Sequence, residues 1–238
     1  MTFEQENKQL ANDFLERFYY REFKNFNKTF KKLEIFLLGQ CTANCEYCYL
    51  KKNSKFLYPA DISNHQTILN NLKKTLNWYI QNQFNCDIEL FSAEWLTTPI
   101  MEPVFELMYE KFSNTEYKPY TINMADNMLF IRYPEIVKKI EYYINKFQQD
   151  LNIHLVFSAS IDGKYCDFGR TEEDDEFYDN VFKFILNHKF GFHPMISATN
   201  IPYWIDNYKW FEEKLGIDRI LNIMTLEVRN DNWTNESI

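Results

Sequence analysis

Three of the five cysteines crowd into eight positions, in the run Gly39-Gln40-Cys41-Thr42-Ala43-Asn44-Cys45-Glu46-Tyr47-Cys48-Tyr49-Leu50. At this cysteine content the spacing C-x3-C-x2-C arises by chance on the order of 0.002 times per chain. Closely spaced thiolates suit soft centres, either zinc or an iron–sulfur cluster. A structural zinc ion is normally closed by four ligands. Here Cys86, Cys166 and the four histidines are isolated and offer no second paired spacing, so zinc stays open only as the alternative. A cubane held by Cys41, Cys45 and Cys48 keeps one iron free, which a small molecule can chelate through an amine and a carboxylate. His65, His154, His188 and His193 share no metal or triad spacing and receive no role, and the chain has neither a Gly-rich phosphate loop nor a G-x-S-x-G elbow.

The elements that must position this loop alternate. Runs rich in β-branched and aromatic residues predict strands at 33–38, 87–91, 120–124, 153–160, 193–198 and 219–226. Five helical segments separate them. Residues 135–149 carry Ile136, Val137, Ile140, Ile144 and Phe147 on one stripe behind Pro134, and 62–82 does the same with Leu69, Leu72, Leu76 and Ile80. Acidic residues 172–176 open a helix ending near Gly191, and Gly216 closes one beginning near Ile205. Strand–helix alternation implies right-handed parallel βαβ units, hence an α/β sheet that is open or curled into a partial barrel. The cysteine loop directly follows the first strand, at the carboxyl edge where such folds gather their active sites. Phe3, Leu10, Phe14 and Phe18 predict an N-terminal helical extension over 1–32, leaving 33–238 as the core domain. The chain stops just after the sixth strand, where Thr234 reads as an N-cap, so the domain reads as truncated and a second chain could complete the barrel.

A net charge of −8 argues against a protein that neutralises phosphates, and so against nucleic acid as partner. The apolar runs are too short for a membrane helix, and the amino end lacks a signal-peptide core. An odd cysteine count, with three clustered, does not describe a disulfide framework. The expected location is cytoplasmic.

The cysteine loop, with aromatic Tyr47 before its last cysteine, resembles the signature of the radical S-adenosylmethionine (AdoMet) superfamily. The resemblance spans about residues 33–233 and is nearest to the SPASM-associated, peptide-modifying branch. Where that branch has Gly-Gly-Glu-Pro after the second strand, this chain has Ser92-Ala93-Glu94-Trp95, keeping only Glu94. Its Ser…Asp-Gly…Arg pattern is matched by Ser160, Asp162, Gly163 and Arg170, and Glu227-Val228-Arg229-Asn230 with Trp233 is similar to a segment of peptide-modifying members. The branch's Thr-Asn-Gly falls on Ala125-Asp126-Asn127 and is largely absent.

The resemblance implies a partial (β/α)6 TIM-like barrel, a [4Fe-4S] cluster on Cys41, Cys45 and Cys48, and S-adenosyl-L-methionine as second cofactor. Glu94 would meet the methionyl amino group and Ser160 the ribose or carboxylate. Asp162 would shape its turn or approach substrate, and Arg170 would offer a fork to a carboxylate. The implied activity is reductive AdoMet cleavage and hydrogen abstraction from a peptide, protein or small-molecule substrate, fed by an electron donor such as a flavodoxin or ferredoxin. The alternatives are a glycyl-radical-enzyme activase and a noncatalytic iron–sulfur or zinc-binding module.

Overall fold

The computed structural model divides the chain into two compact units, Met1–Lys31 and Lys32–Ile238. The residues described below, all in the second unit, are 32–39, 41, 43, 45–48, 62–170, 173–216 and 226–227. The expected N-terminal helix, and the Arg229, Trp233 and Thr234 positions, lie outside them.

Five strands form one parallel sheet, in chain order across it: β1 (Lys32–Ile35), β2 (Asp87–Leu90), β3 (Thr121–Asp126), β4 (His154–Ala159) and β5 (Gly191–Phe192). Between them run α1 (Ile62–Gln81), α2 (Met101–Ser113), α3 (Pro134–Leu151) and α4 (Asp175–His188), and α5 (Trp204–Leu215) follows. When every crossover has one hand and each new strand adds to the same edge, all helices fall on one face. Sequential order therefore selects the one-sided, barrel-like winding over the doubly wound alternative, and among the described residues the sheet is not closed.

The burial of the strands follows from this winding. In β2, β3 and β4 every second residue is buried beneath the helices: Ile88 and Leu90, Ile122 and Met124, Leu155 and Phe157. Phe157 illustrates the packing, with ring centroids 5.9 Å from Phe130, 6.0 Å from Phe184 and 5.4 Å from Phe190. Further along, Phe105 lies 5.2 Å from Trp95 and stacks 4.7 Å from Tyr143. The alternate residues face away from the helices and stay partly open.

Helix punctuation matches the sequence at most ends. Pro134 opens α3, the Asp174 carboxylate caps α4 by accepting the Phe177 N–H at 2.8 Å, and Gly216 ends α5 with φ of 81°. Two expectations are corrected. Helix α4 ends before Gly191, with Lys189 taking the left-handed cap at φ of 58°, so Gly191 instead begins β5. The fifth strand, expected as one run over 193–198, is broken at Pro194, which has no N–H for a ladder. Before the break Gly191–Phe192 joins the main sheet; after it β6 (Met195–Ile196) pairs in parallel with β7 (Leu226–Glu227) in a separate two-stranded sheet. Of the expected sixth strand only its last residue, Leu226, is described, and it belongs to β7. Truncating Phe157 to Ala should cost about 3–5 kcal/mol in denaturant unfolding, because three rings lose their common neighbour.

Candidate functional site

Beyond β1 the chain keeps pairing with β2 before it turns into the cysteine loop. The Phe91 N–H donates to the Ile35 carbonyl at 2.9 Å and the Ala93 N–H to the Leu38 carbonyl at 2.9 Å. The Ser92 hydroxyl fills the remaining place, accepting from the Leu38 N–H at 3.1 Å and donating to the Leu38 carbonyl at 2.9 Å. The serine that stands where the resemblance expects glycine thus staples the two strand ends. Cys45 and Cys48 close a turn, with the Cys48 N–H donating to the Cys45 carbonyl at 3.2 Å.

Polar groups gather around Cys41. Its sulfur receives hydrogen bonds from the backbone N–H groups of Ala43 and Glu94 and from the Asn127 side-chain amide, whose nitrogen lies 3.3 Å away. Burial raises the Cys41 pKa, and the two backbone donors oppose it. The same Asn127 nitrogen is 3.4 Å from the buried Glu94 carboxylate, which also accepts from the Thr97 hydroxyl at 2.7 Å. Burial pushes Cys45 up to about 11, against the pull of Arg170.

A second group locks the loop from the other side. The Tyr47 hydroxyl donates to the Asp162 carboxylate. Arg170 reaches both, its Nη1 3.2 Å from the Tyr47 oxygen and 3.3 Å from Asp162 Oδ1. Asp162 Oδ1 accepts the Met195 N–H at 3.0 Å, and the Asp162 carbonyl accepts from Asn207 Nδ2 at 2.6 Å. The Asp162 side chain is fully buried and that of Arg170 is 7% exposed. Burial lowers the Arg170 pKa, and Asp162 together with Tyr47, Cys45 and Asp167 more than offsets it; burial pushes the Asp162 carboxyl up, with Arg170 and Tyr47 pulling it back. Gly163, at φ of 90°, is needed here: a Cβ would stand 2.5 Å from Asn207 Oδ1 and 2.7 Å from the Phe211 ring.

Of the residues singled out in sequence, Glu94 falls beside Cys41, while Asp162 and Arg170 pair directly with each other and both reach Tyr47. The carboxylate that meets the Arg170 fork belongs to this chain. Ser160, half-buried at the end of β4, is tied to β3 through its N–H, 2.7 Å from the Asp126 carbonyl.

Three residues were missed. Asn127 was passed over because it was set against a glycine; the left-handed residue of this turn is Met128, at φ of 65°. Asn207 sits in a helix whose spacing gave no sign that it is buried. Asp126 is buried with Oδ1 on the Met128 N–H at 2.7 Å and Oδ2 without a partner. Burial first, then the Glu94 charge, pushes Asp126 up to about 7.

The donor set fits an iron–sulfur cube. Among the described residues no three Cys, His, Asp or Glu side chains converge on a point that one ion could occupy. A cube makes a different demand, because each thiolate binds its own iron and the sulfurs stand apart. The Asn127 amide on the Cys41 sulfur is the kind of N–H donor that supports a ligating thiolate.

The one-sided parallel sheet, with its cysteine loop at the carboxyl edge, is a partial-barrel α/β fold that solved structures share. No protein-family model matches the chain, and no curated protein matches it in sequence. Two solved structures share the fold. One, native anSMEcpe with bound AdoMet and Cp18Cys peptide, is 15% identical, with TM-score 0.52 over 83% of this chain and 51% of that one. The other, HydG, a maturase of the [FeFe]-hydrogenase, is 9% identical, with TM-score 0.51 over 94% of this chain and 48% of that one. The chain spans about half the length of the solved structures it matches.

Two outcomes follow for the cluster-free protein. Replacing Asp162 with Asn leaves the Arg170 charge buried without its counter-ion, and should cost about 3–5 kcal/mol in urea unfolding. Asp126 holds its proton in the folded state at a pH where the unfolded chain has released it, so its contribution to stability falls as pH rises from about 4 to about 7. Asp126→Asn should therefore stabilise the fold by a few kcal/mol at pH 8 and by little at pH 4, read from urea midpoints.

Proposed function

We propose that this chain is a radical AdoMet enzyme whose Cys41, Cys45 and Cys48 hold a [4Fe-4S] cluster, and that it takes hydrogen from a peptide substrate. The observation that carries the reading is the loop itself: three thiols at the carboxyl edge of a one-sided parallel sheet. On one side the loop is held by donors to the Cys41 sulfur, and on the other by Tyr47 on the Asp162–Arg170 pair. The cluster, when bound, supplies the electron that cleaves AdoMet to methionine and a 5′-deoxyadenosyl radical.

The chain's own residues position and insulate. Glu94, buried 3.4 Å from the Asn127 amide, presents a carboxylate beside Cys41 where an ammonium group would be received. Asp126, with one unpartnered oxygen, adds a second acceptor near it. Ser160 lies at the neighbouring strand end, in reach of a ribose or carboxylate in this reading. The buried aromatic layer beneath the edge keeps water from the helix side.

A peptide substrate is supported by the neighbour solved with a peptide bound. A low-potential donor such as a flavodoxin or ferredoxin, and a reducing cytoplasmic setting, follow from the same chemistry.

Anaerobic reconstitution with iron and sulfide, followed by dithionite and AdoMet, should release 5′-deoxyadenosine, and Cys45→Ala should abolish it. A protein that binds its cluster yet neither binds nor cleaves AdoMet is a noncatalytic module, and stoichiometric zinc in place of iron rules out the reading.

A further inference from the structure

The resemblance has Arg170 offer its fork to a carboxylate of the cofactor, yet the side chain is only 7% exposed and is engaged by groups of this chain. Its Nη1 lies 3.3 Å from Asp162 Oδ1 and 3.2 Å from the Tyr47 oxygen. Asp162 is not free to turn away. Its Oδ1 also accepts the Met195 N–H at 3.0 Å, its Oδ2 accepts the Tyr47 hydroxyl, and its side chain has no exposed surface. Arg170 is fixed at its backbone as well, where its N–H donates to the Asp167 carbonyl at 2.9 Å and closes the short helical turn Asp167–Gly169. An incoming carboxylate would have to draw the guanidinium away and leave the Asp162 charge buried without it.

What Arg170 does reach is the cysteine loop, 123 positions away at Tyr47. Tyr47 directly precedes Cys48 and stands in the turn that the Cys48 N–H closes on the Cys45 carbonyl at 3.2 Å. Its phenol donates to Asp162 and accepts from Arg170, so both members of the ion pair grip one ring. The charge is felt at the sulfur of Cys45 too, where Arg170 favours a thiolate more strongly than Asp162 opposes it. The pair is neutral as a whole but acts as a cation toward the loop.

We propose that Arg170 is a positioning residue of the cysteine loop and not a ligand of AdoMet: through Tyr47 it fixes the Cys45–Cys48 turn, and its charge makes a cluster held there easier to reduce. The inference rests on the function proposed above and adds how this chain sets the ease of its first step. That step is a one-electron transfer from the reduced donor to the oxidised cluster, with no bond made or broken at Arg170. The reduced cluster carries one more negative charge than the oxidised one, so a fixed cation on the Cys45 side stabilises the reduced form.

Dithionite titration followed by EPR, on reconstituted protein without AdoMet, reads the potential; equilibrium dialysis of labelled AdoMet against the unreduced protein reads affinity. At a fixed potential near the wild-type midpoint, Arg170→Gln should lower the ratio of reduced to oxidised cluster about ten-fold. AdoMet affinity should hardly change, whereas loss of a charged ligand to its carboxylate would weaken it roughly ten- to a hundred-fold. Asp162→Asn combined with Arg170→Gln removes both buried charges and carries the comparison should the single variant not fold. It should move the potential in the same direction by less, because Arg170 outweighs Asp162 at Cys45.

Tyr47→Phe keeps both charges and removes only the hydroxyl. In the cluster-free whole chain, it and Arg170→Gln should each speed hydrogen exchange of the Cys48 amide roughly three- to ten-fold, read by site-resolved mass spectrometry. AdoMet affinity lost on Arg170→Gln with the midpoint unmoved overturns the proposal, and so does Cys48 exchange indifferent to both substitutions. Failure to form a cluster is instead a failure of the function proposed above; the exchange comparison needs neither cofactor and decides the positioning role by itself.

Discussion

The Asp162 carboxylate is the point on which the described structure turns. It is fully buried, and from there it accepts the Tyr47 hydroxyl of the cysteine loop, the Arg170 guanidinium and the Met195 N–H at the start of β6. Its backbone carbonyl takes the Asn207 amide of α5. Four segments, around Tyr47, Asp162–Arg170, Met195 and Asn207, thus meet at one residue shortly after β4. A charge this deep is tolerable only because each of its partners is itself fixed. The cost of the arrangement is visible at Gly163, where any side chain would strike Asn207 and Phe211.

This anchor explains how the loop is held where it presents its thiols beyond the strand end. On the Cys41 side the constraint is backbone and amide N–H groups at sulfur; on the Cys48 side it is the neighbouring tyrosine. The Ser92 staple holds the strand ends from which the loop departs. The winding of the sheet does the rest. Because the described helices between the strands lie on one face, the opposite face carries partly open polar and aromatic residues without giving up a core.

Much of this was legible in sequence where a signal was local. The Pro134 start of α3, the acidic start of α4 and Gly216 all state their structural role in a few adjacent residues. The Ser160-Ile161-Asp162-Gly163 run with Arg170 was legible as a motif, but its partner Tyr47 is 115 positions from Asp162, and no periodicity connects them. Asn207 was hidden for the same reason: an asparagine in a helix looks solvated until tertiary packing buries it. The fifth strand failed differently, since the apolar pattern of 193–198 outweighed the missing N–H of Pro194. Lys189 took a left-handed cap that a glycine two positions later advertised.

The central claim is that three thiols leave one iron open to AdoMet. The measurement that tests it most directly is electron–nuclear double resonance of the reduced, reconstituted protein with AdoMet labelled with ¹⁷O in its carboxylate and ¹⁵N in its amine. Resolved coupling of both nuclei to the cluster is the expected result. A reduced [4Fe-4S] signal identical with and without the labels, in protein saturated with AdoMet, would contradict it.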